Sequence, residues 1–224
     1  MQPFPKKLAL LALLSSAFCA SARAQVQVNQ PGLHVNVQNN NWVLIESGSQ
    51  PSLLKGSSTG AFASGTNADG LSTGQSSATA QGQGETGWVD ASHRVWKHYQ
   101  HVGANPAQVT YKAFLQTQVW YSLDVTDFVA SSIGQAEAEF RTNIPGMAEA
   151  SSTTLSKSIP EGMDSNQQTD TVNTPWSPPF LTPPGAILQF EVYTRAYCFS
   201  FASGQQASSE TQAEGRGSVR VRLN

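Results

Sequence analysis

The sequence predicts an all-β chain folded as a two-sheet antiparallel β-sandwich, with a jelly-roll path as one form the sandwich could take. Three observations predict it. Residues 109–125 alternate with a period of two, residues 186–201 carry a second strong strand pattern, and long stretches with helical spacing are hard to find.

The first segment is the clearest. Val109, Tyr111, Leu115, Val119, Tyr121, Leu123 and Val125 share one face. Thr110, Lys112, Gln116, Gln118, Ser122 and Asp124 share the other. Helical spacing would mix these two sets, so a long strand is expected, or two strands divided by a bend. In the second segment Leu188, Phe190 and Val192 are even-numbered, whereas Tyr197, Phe199 and Phe201 are odd. If the large apolar groups face inward throughout, a bulge near Tyr193–Arg195 must reverse the facing, or the strand must pass between sheets. The chain closes on Ser218–Leu223, with Val219, Val221 and Leu223 inward and Arg220 and Arg222 outward.

Weaker strands are expected at Leu33–Val37, Trp42–Glu46, Trp88–Tyr99 and Ile133–Thr142. Ala148–Leu155 and Ala207–Ala213 are further candidates. Ser47–Gly87 is rich in Gly, Ser, Thr, Ala and Gln; its composition fits short strands with small inward residues as well as a loop. Asn143–Gly185 is broken by Pro145-Gly146 and Pro160-Glu161-Gly162 and ends in a proline-rich run, Pro175–Pro179. It reads as an excursion linking two sheets within a single domain, residues 25–224.

The N-terminus has the parts of a cleavable signal peptide over residues 1–24. Lys6 and Lys7 precede an apolar run from Leu8 to Phe18, and Ala22-Arg23-Ala24 is a small-x-small cleavage site. The apolar run is too short to span a bilayer, which takes about 20 residues. An exported product, periplasmic or extracellular, is therefore expected. Removing Lys6, Lys7 and Arg23 takes the 13 basic residues to 10 against 15 acidic, a formal charge of −5. That balance argues against a nucleic-acid partner, which calls for a basic stripe. No later run is long enough for an integral membrane helix. Charged residues make up only 12%, about half the usual share, so solubility rests on neutral polar side chains. Cys19 leaves with the signal, and Cys198 then stands alone, read as a buried thiol in a strand.

Chemistry-bearing groups are sparse. His93, His98 and His101 cluster with Trp88, Asp90, Trp96 and Tyr99, but His93 and His101 lie about 26 Å apart on a straight strand. A metal needs two or three converging ligands, so no metal or cofactor is expected. Glu137 and Glu139 share one strand face at i, i+2; with Asp90 they are the acids a polysaccharide hydrolase would use. Asp164-Ser165-Asn166 with Asp170 lacks the glycine and glutamate of a 12-residue calcium loop.

Outward aromatics are the more productive signal. If the odd face of 109–125 is core, Phe114 and Trp120 look outward, about 20 Å apart. With Trp96 and Tyr99 they form the expected contact set for a glycan or protein partner. The expected function is thus a non-enzymatic binding or surface protein. The alternatives are the hydrolase and a self-assembling or pore-forming protein built on the Ser/Thr/Gly-rich 56–87 segment. Oligomeric state does not follow from the sequence.

Overall fold

The computed structural model describes residues 30–224 except 81–83, 126–128, 145–146, 148, 159–163 and 205–206. The signal-peptide reading of residues 1–24 lies outside the described residues. Twelve strands follow in order: β1 (Gly32–Val37), β2 (Trp42–Ser57), β3 (Ala61–Ala68), β4 (Leu71–Ala80), β5 (Glu85–His101) and β6 (Ala107–Val125). Then come β7 (Val129–Thr142), β8 (Ala150–Ser158), β9 (Asp164–Asn173), β10 (Phe180–Thr182), β11 (Ile187–Ser203) and β12 (Ala207–Leu223).

They form two sheets. The seven-stranded sheet has β6 and β12 at its centre, β4 and then β3 beyond β12, β9 and β10 on the far side of β6, and β1 beside the end of β12. The five-stranded sheet runs β2-β5-β11-β7-β8. All pairs are antiparallel except β1 with β12. The two sheets pack face to face, as the alternation in β6 requires: Val109, Leu115 and Val119 are fully buried between them. The 143–185 stretch does link the sheets, with β8 in one and β9 and β10 in the other. The polar stretch from Ser47 to Gly87 carries most of β2, all of β3 and β4, and the start of β5. Its inward residues in β4, such as Ser72, Ser76 and Ala78, are too small to mark it as strand by hydrophobicity.

The expected reversal in β11 does not occur. β11 pairs with β5 and β7 in unbroken register, and Phe190, Val192, Thr194, Ala196, Cys198, Ser200 and Ala202 are all 0% exposed. Tyr193, Tyr197, Phe199 and Phe201 therefore stand on the outer face. The physical reason lies in the core itself, which changes character along the sandwich. One end is apolar: Phe140, Phe190, Tyr111, Leu115, Val192, Val219, Val221 and Leu223 pack in one cluster with Trp42 and Tyr99. Burying side chains of this size contributes about 1.5–3 kcal/mol each.

The other end is built mostly from alanine, Val89, Val119, Cys198 and hydroxyls, with Tyr121 and Leu123 of β6 as its large buried side chains. There the two sheets are joined by side-chain hydrogen bonds. Ser72 meets Thr194 at 2.9 Å, Ser76 meets Ser200 at 2.9 Å, and Thr211 meets Ser132 and Ser200 at 2.5 and 3.1 Å. Buried hydroxyls are tolerated because they find these partners. Small inner residues also let the sheets approach. A Cβ on Gly215 would run into the backbone oxygens of Glu137 and Arg195 across the interface. The β3–β4 connection is the two-residue turn Asp69-Gly70, where Gly70 takes φ 70°, a conformation open to glycine.

Candidate ligand-binding groove

The outer face of the larger sheet carries a groove of about 260 Å³. It forms because the register lines up short polar side chains beside one indole. Trp120 on β6 stands opposite Gln212 on β12, which stands opposite Gln75 on β4, which stands opposite Ser64 on β3. The next row is Gln118, Glu214, Thr73 and Thr66. All eight line the groove.

Glu210 organises its amides. Gln75 Nε2 and Gln212 Nε2 each donate to Glu210 Oε1 at 3.1 Å. This holds both amides in place in the groove that Trp120 lines. Thr66 and Thr73 hydrogen-bond to each other at 2.7 Å. The result is a half-buried aromatic face ringed by amide, hydroxyl and carboxylate groups, a surface that can stack on an apolar ring face while bonding the ring's hydroxyls.

The four residues singled out by sequence do not converge. Trp120 lies in the groove. Phe114 faces outward on the same strand, half-buried, about 20 Å along it. Trp96 is on the outer face of the other sheet, where Nε1 donates to Glu46 at 3.1 Å and the Arg94 guanidinium lies 5.5 Å from the ring. A Cβ on Gly48, its cross-strand partner, would collide with this indole, so the ring lies flat on the β2 backbone. Tyr99 does not join the set. It faces inward, 7% exposed, in the apolar core, and burial raises its hydroxyl pKa. Its odd position in β5 puts it on the face opposite Trp96, so the pairing of the two as contact groups fails on strand geometry.

The outer face of the smaller sheet is rich in aromatics and charge, and among the described residues its arginines are paired with acids. Arg195 holds Asp90 with two hydrogen bonds of 2.9 and 2.7 Å and lies 3.8 Å from Glu137. Arg141 pairs with Glu139 and with Glu191, and Arg94 pairs with Glu191. The acids considered for hydrolysis are thus each beside an arginine. Arg195 also sits over Tyr197, and Arg141 over Tyr193.

The histidines are likewise separated. His93 and His101 point into the sandwich, while His98 faces outward and meets Glu46 at 3.1 Å. His101 stacks on Trp42 with ring centroids 4.7 Å apart. Among the described residues no three His, Cys, Asp or Glu side chains come together as a metal site. Asp164 and Asp170 lie on β9 as strand residues, bonded to Tyr121 and Ser152. No helix among the described residues is long and apolar enough to cross a membrane.

Sequence reasoning found Trp120 but missed its companions Gln75, Gln212 and Glu214. Nothing local marks them; they meet Trp120 only through strand register.

No family model matches the sequence, and no curated protein matches it. Among solved structures, TmCBM61 in complex with beta-1,4-galactotriose aligns with 72% of this chain and 88% of its own, at 7% identity and TM-score 0.16. A family 11 carbohydrate-binding module from Clostridium thermocellum, in complex with a beta-1,3-1,4-mixed-linked tetrasaccharide, aligns with 80% of this chain and 89% of its own. Its identity is 12% and its TM-score 0.14. At TM-scores this low neither likeness bears on what this chain binds.

Proposed function

We propose that this chain is an exported, non-enzymatic β-sandwich that binds a glycan in the Trp120 groove. The observation that carries the reading is the pairing of one half-buried indole with two amides held in place by Glu210. Sugars present an apolar ring face edged by hydroxyls, and this set answers both features. Most of the groove is neutral, which suits an uncharged polymer. The N-terminal Lys6-Lys7, apolar run and Ala22-Arg23-Ala24 support export.

The test is affinity electrophoresis of the purified protein through gels containing neutral polysaccharides, alongside a Trp120→Ala variant. Retardation by one polymer is expected, with at least a tenfold loss of affinity in Trp120→Ala. A variant retarded as strongly as the parent would remove Trp120 from the site. Failure of every polymer to retard the parent would overturn the glycan reading. Export is tested by cell fractionation, with shortening of the chain to a start near Gln25 as the expected result.

A further inference from the structure

A second groove lies toward the other end of β6, formed by β1, β12 and Trp176 with Lys97 reaching it from β5 of the smaller sheet, where Nζ donates to Leu33 O at 3.0 Å, and its chemistry differs. Its volume is about 370 Å³, and its lining includes Lys97, Trp176, Arg220 and Arg222. The side chains on β12 run from acid to base along the strand: Glu210 and Glu214 near Trp120, then Arg216, Arg220 and Arg222. Arg220 and Arg222 are exposed.

Three observations make this more than a solvated basic face. First, like charges are set opposite one another. Arg220 is the direct cross-strand partner of Lys112, with His34 on its other side. Facing cations on adjacent strands destabilise a sheet. Second, these cations have no acid. Among the described residues, no ion pair involves Lys112, Arg220 or Arg222 on the larger sheet, whereas Arg94, Arg141 and Arg195 on the smaller one are all paired. This stands out in a chain whose net charge is −2.

Third, the guanidinium is positioned. The segment from Thr174 to Ser177 is bonded along β6: Thr174 N donates to Ala113 O at 2.9 Å, Ser177 N to Tyr111 O at 2.7 Å, and Tyr111 N to Ser177 Oγ at 3.1 Å. That places the Trp176 ring 3.9 Å from the Arg222 guanidinium carbon and 5.6 Å from Lys112 Nζ. An arginine stacked on an indole keeps its charge and its in-plane N–H groups available, in a fork that fits a carboxylate or sulfate.

We infer that this groove binds the anionic groups, carboxylate or sulfate, of an acidic polysaccharide. An anion between Lys112, Arg220 and Arg222 would relieve their mutual repulsion and accept charge-assisted hydrogen bonds. A polymer is favoured over a membrane surface because Lys97, Arg220 and Arg222 line a recess, and because Arg220 and Arg222 share their sheet face with Phe114 and the Trp120 groove. The inference stands apart from the neutral-glycan reading, since the two grooves share no residue.

The experiment is chromatography of the purified protein on immobilised polygalacturonate with a sodium chloride gradient. It is run for the parent, Arg220→Gln/Arg222→Gln, Trp176→Ala and Trp120→Ala. Circular dichroism confirms that each variant folds. The parent and Trp120→Ala should be retained and elute with salt. The double arginine variant should lose at least tenfold in affinity, and Trp176→Ala should elute earlier than the parent. Neutral-polymer binding in the double variant should be unchanged. Four outcomes would overturn the inference. The parent could fail to be retained, the double variant could be retained like the parent, or the parent could bind phosphatidylglycerol vesicles and not polygalacturonate. Loss of retention in Trp120→Ala alone would assign the acidic polymer to the other groove and overturn it too.

Discussion

Replacing Thr211 by valine keeps the side-chain shape and removes one hydroxyl from the interface between the sheets. That hydroxyl is fully buried and has three neighbours: Ser132 Oγ, Ser200 Oγ and the Phe199 carbonyl, the last accepting at 3.0 Å. Each hydroxyl has one proton, so a consistent assignment has Ser132 donating to Thr211 and Thr211 donating to Phe199 O. Ser200 keeps its bonds to Ser76. Ser132, also 0% exposed, has no other hydrogen-bond partner among the described residues. The Thr211→Val change therefore leaves a buried donor unsatisfied, which costs about 1–3 kcal/mol, and forfeits a bond to Phe199 O of net worth about 1 kcal/mol. The extra methyl returns up to about 0.8 kcal/mol. The expected net loss is about 2 kcal/mol, a fall in Tm of about 4–8 °C for a chain of this size. Adding Ser132→Ala removes the orphaned donor, so the double variant should regain about 1 kcal/mol over Thr211→Val alone. The assay is urea unfolding followed by fluorescence, with m compared across the variants. A Thr211→Val protein within about 0.5 kcal/mol of the parent would refute the claim that hydroxyl pairing, and not shape, holds this end of the sandwich together.

Two further outcomes follow from buried titratable groups. Burial lowers the pKa of His93 from its ordinary 6.5, with Asp69 opposing, and the neutral ring accepts a hydrogen bond from Gly70 N at 3.4 Å. The unfolded chain then binds a proton that the fold resists, so this stability is complete above pH 6.5 and is lost as pH falls below it. Tm should drop more steeply between about pH 7 and pH 5 in the parent than in His93→Gln; parallel curves would exclude His93 as the cause. Cys198 is 0% exposed, and burial pushes its thiol pKa strongly up. It should resist a thiol-specific colorimetric reagent in the native protein and react promptly in denaturant; fast native labelling would show that the two sheets open there.

What the sequence revealed depended on which side of each strand carried the bulk. In β6 the large residues Tyr111, Leu115 and Leu123 are inside and glutamines lie outside, so period-two alternation identified both the strand and the outward placement of Phe114 and Trp120. In β11 the order reverses after Val192. Thr194, Ala196, Cys198, Ser200 and Ala202 are inside, and the aromatics Tyr193, Tyr197, Phe199 and Phe201 are outside. Hydrophobicity alone then suggests a bulge that does not exist, because the interior there selects for small size. The same rule left β3 and β4 open between short strands and a loop. The grooves were less legible still. Gln75 and Gln212, or Trp176 and Arg222, are far apart in the chain and meet only through register and the docking of residues 174–177 on β6. The proline-rich run could be read as a stiff connector, but not as the support of an indole.

The graded interior bears on how stability responds to temperature. Unfolding raises heat capacity in proportion to the apolar surface released and lowers it for polar surface, for a usual net of about 12–15 cal/mol/K per residue. Where Ser72, Ser76, Ser132, Thr194, Ser200 and Thr211 fill the space between sheets, much of what unfolding releases is polar. The heat-capacity increment should fall below the usual value for the chain's length. A smaller increment flattens the curve of stability against temperature, so maximal stability and the onset of melting lie further apart. The hydroxyl-lined end thus gives up depth of hydrophobic stabilisation and gains breadth in the thermal range over which the sandwich stays closed.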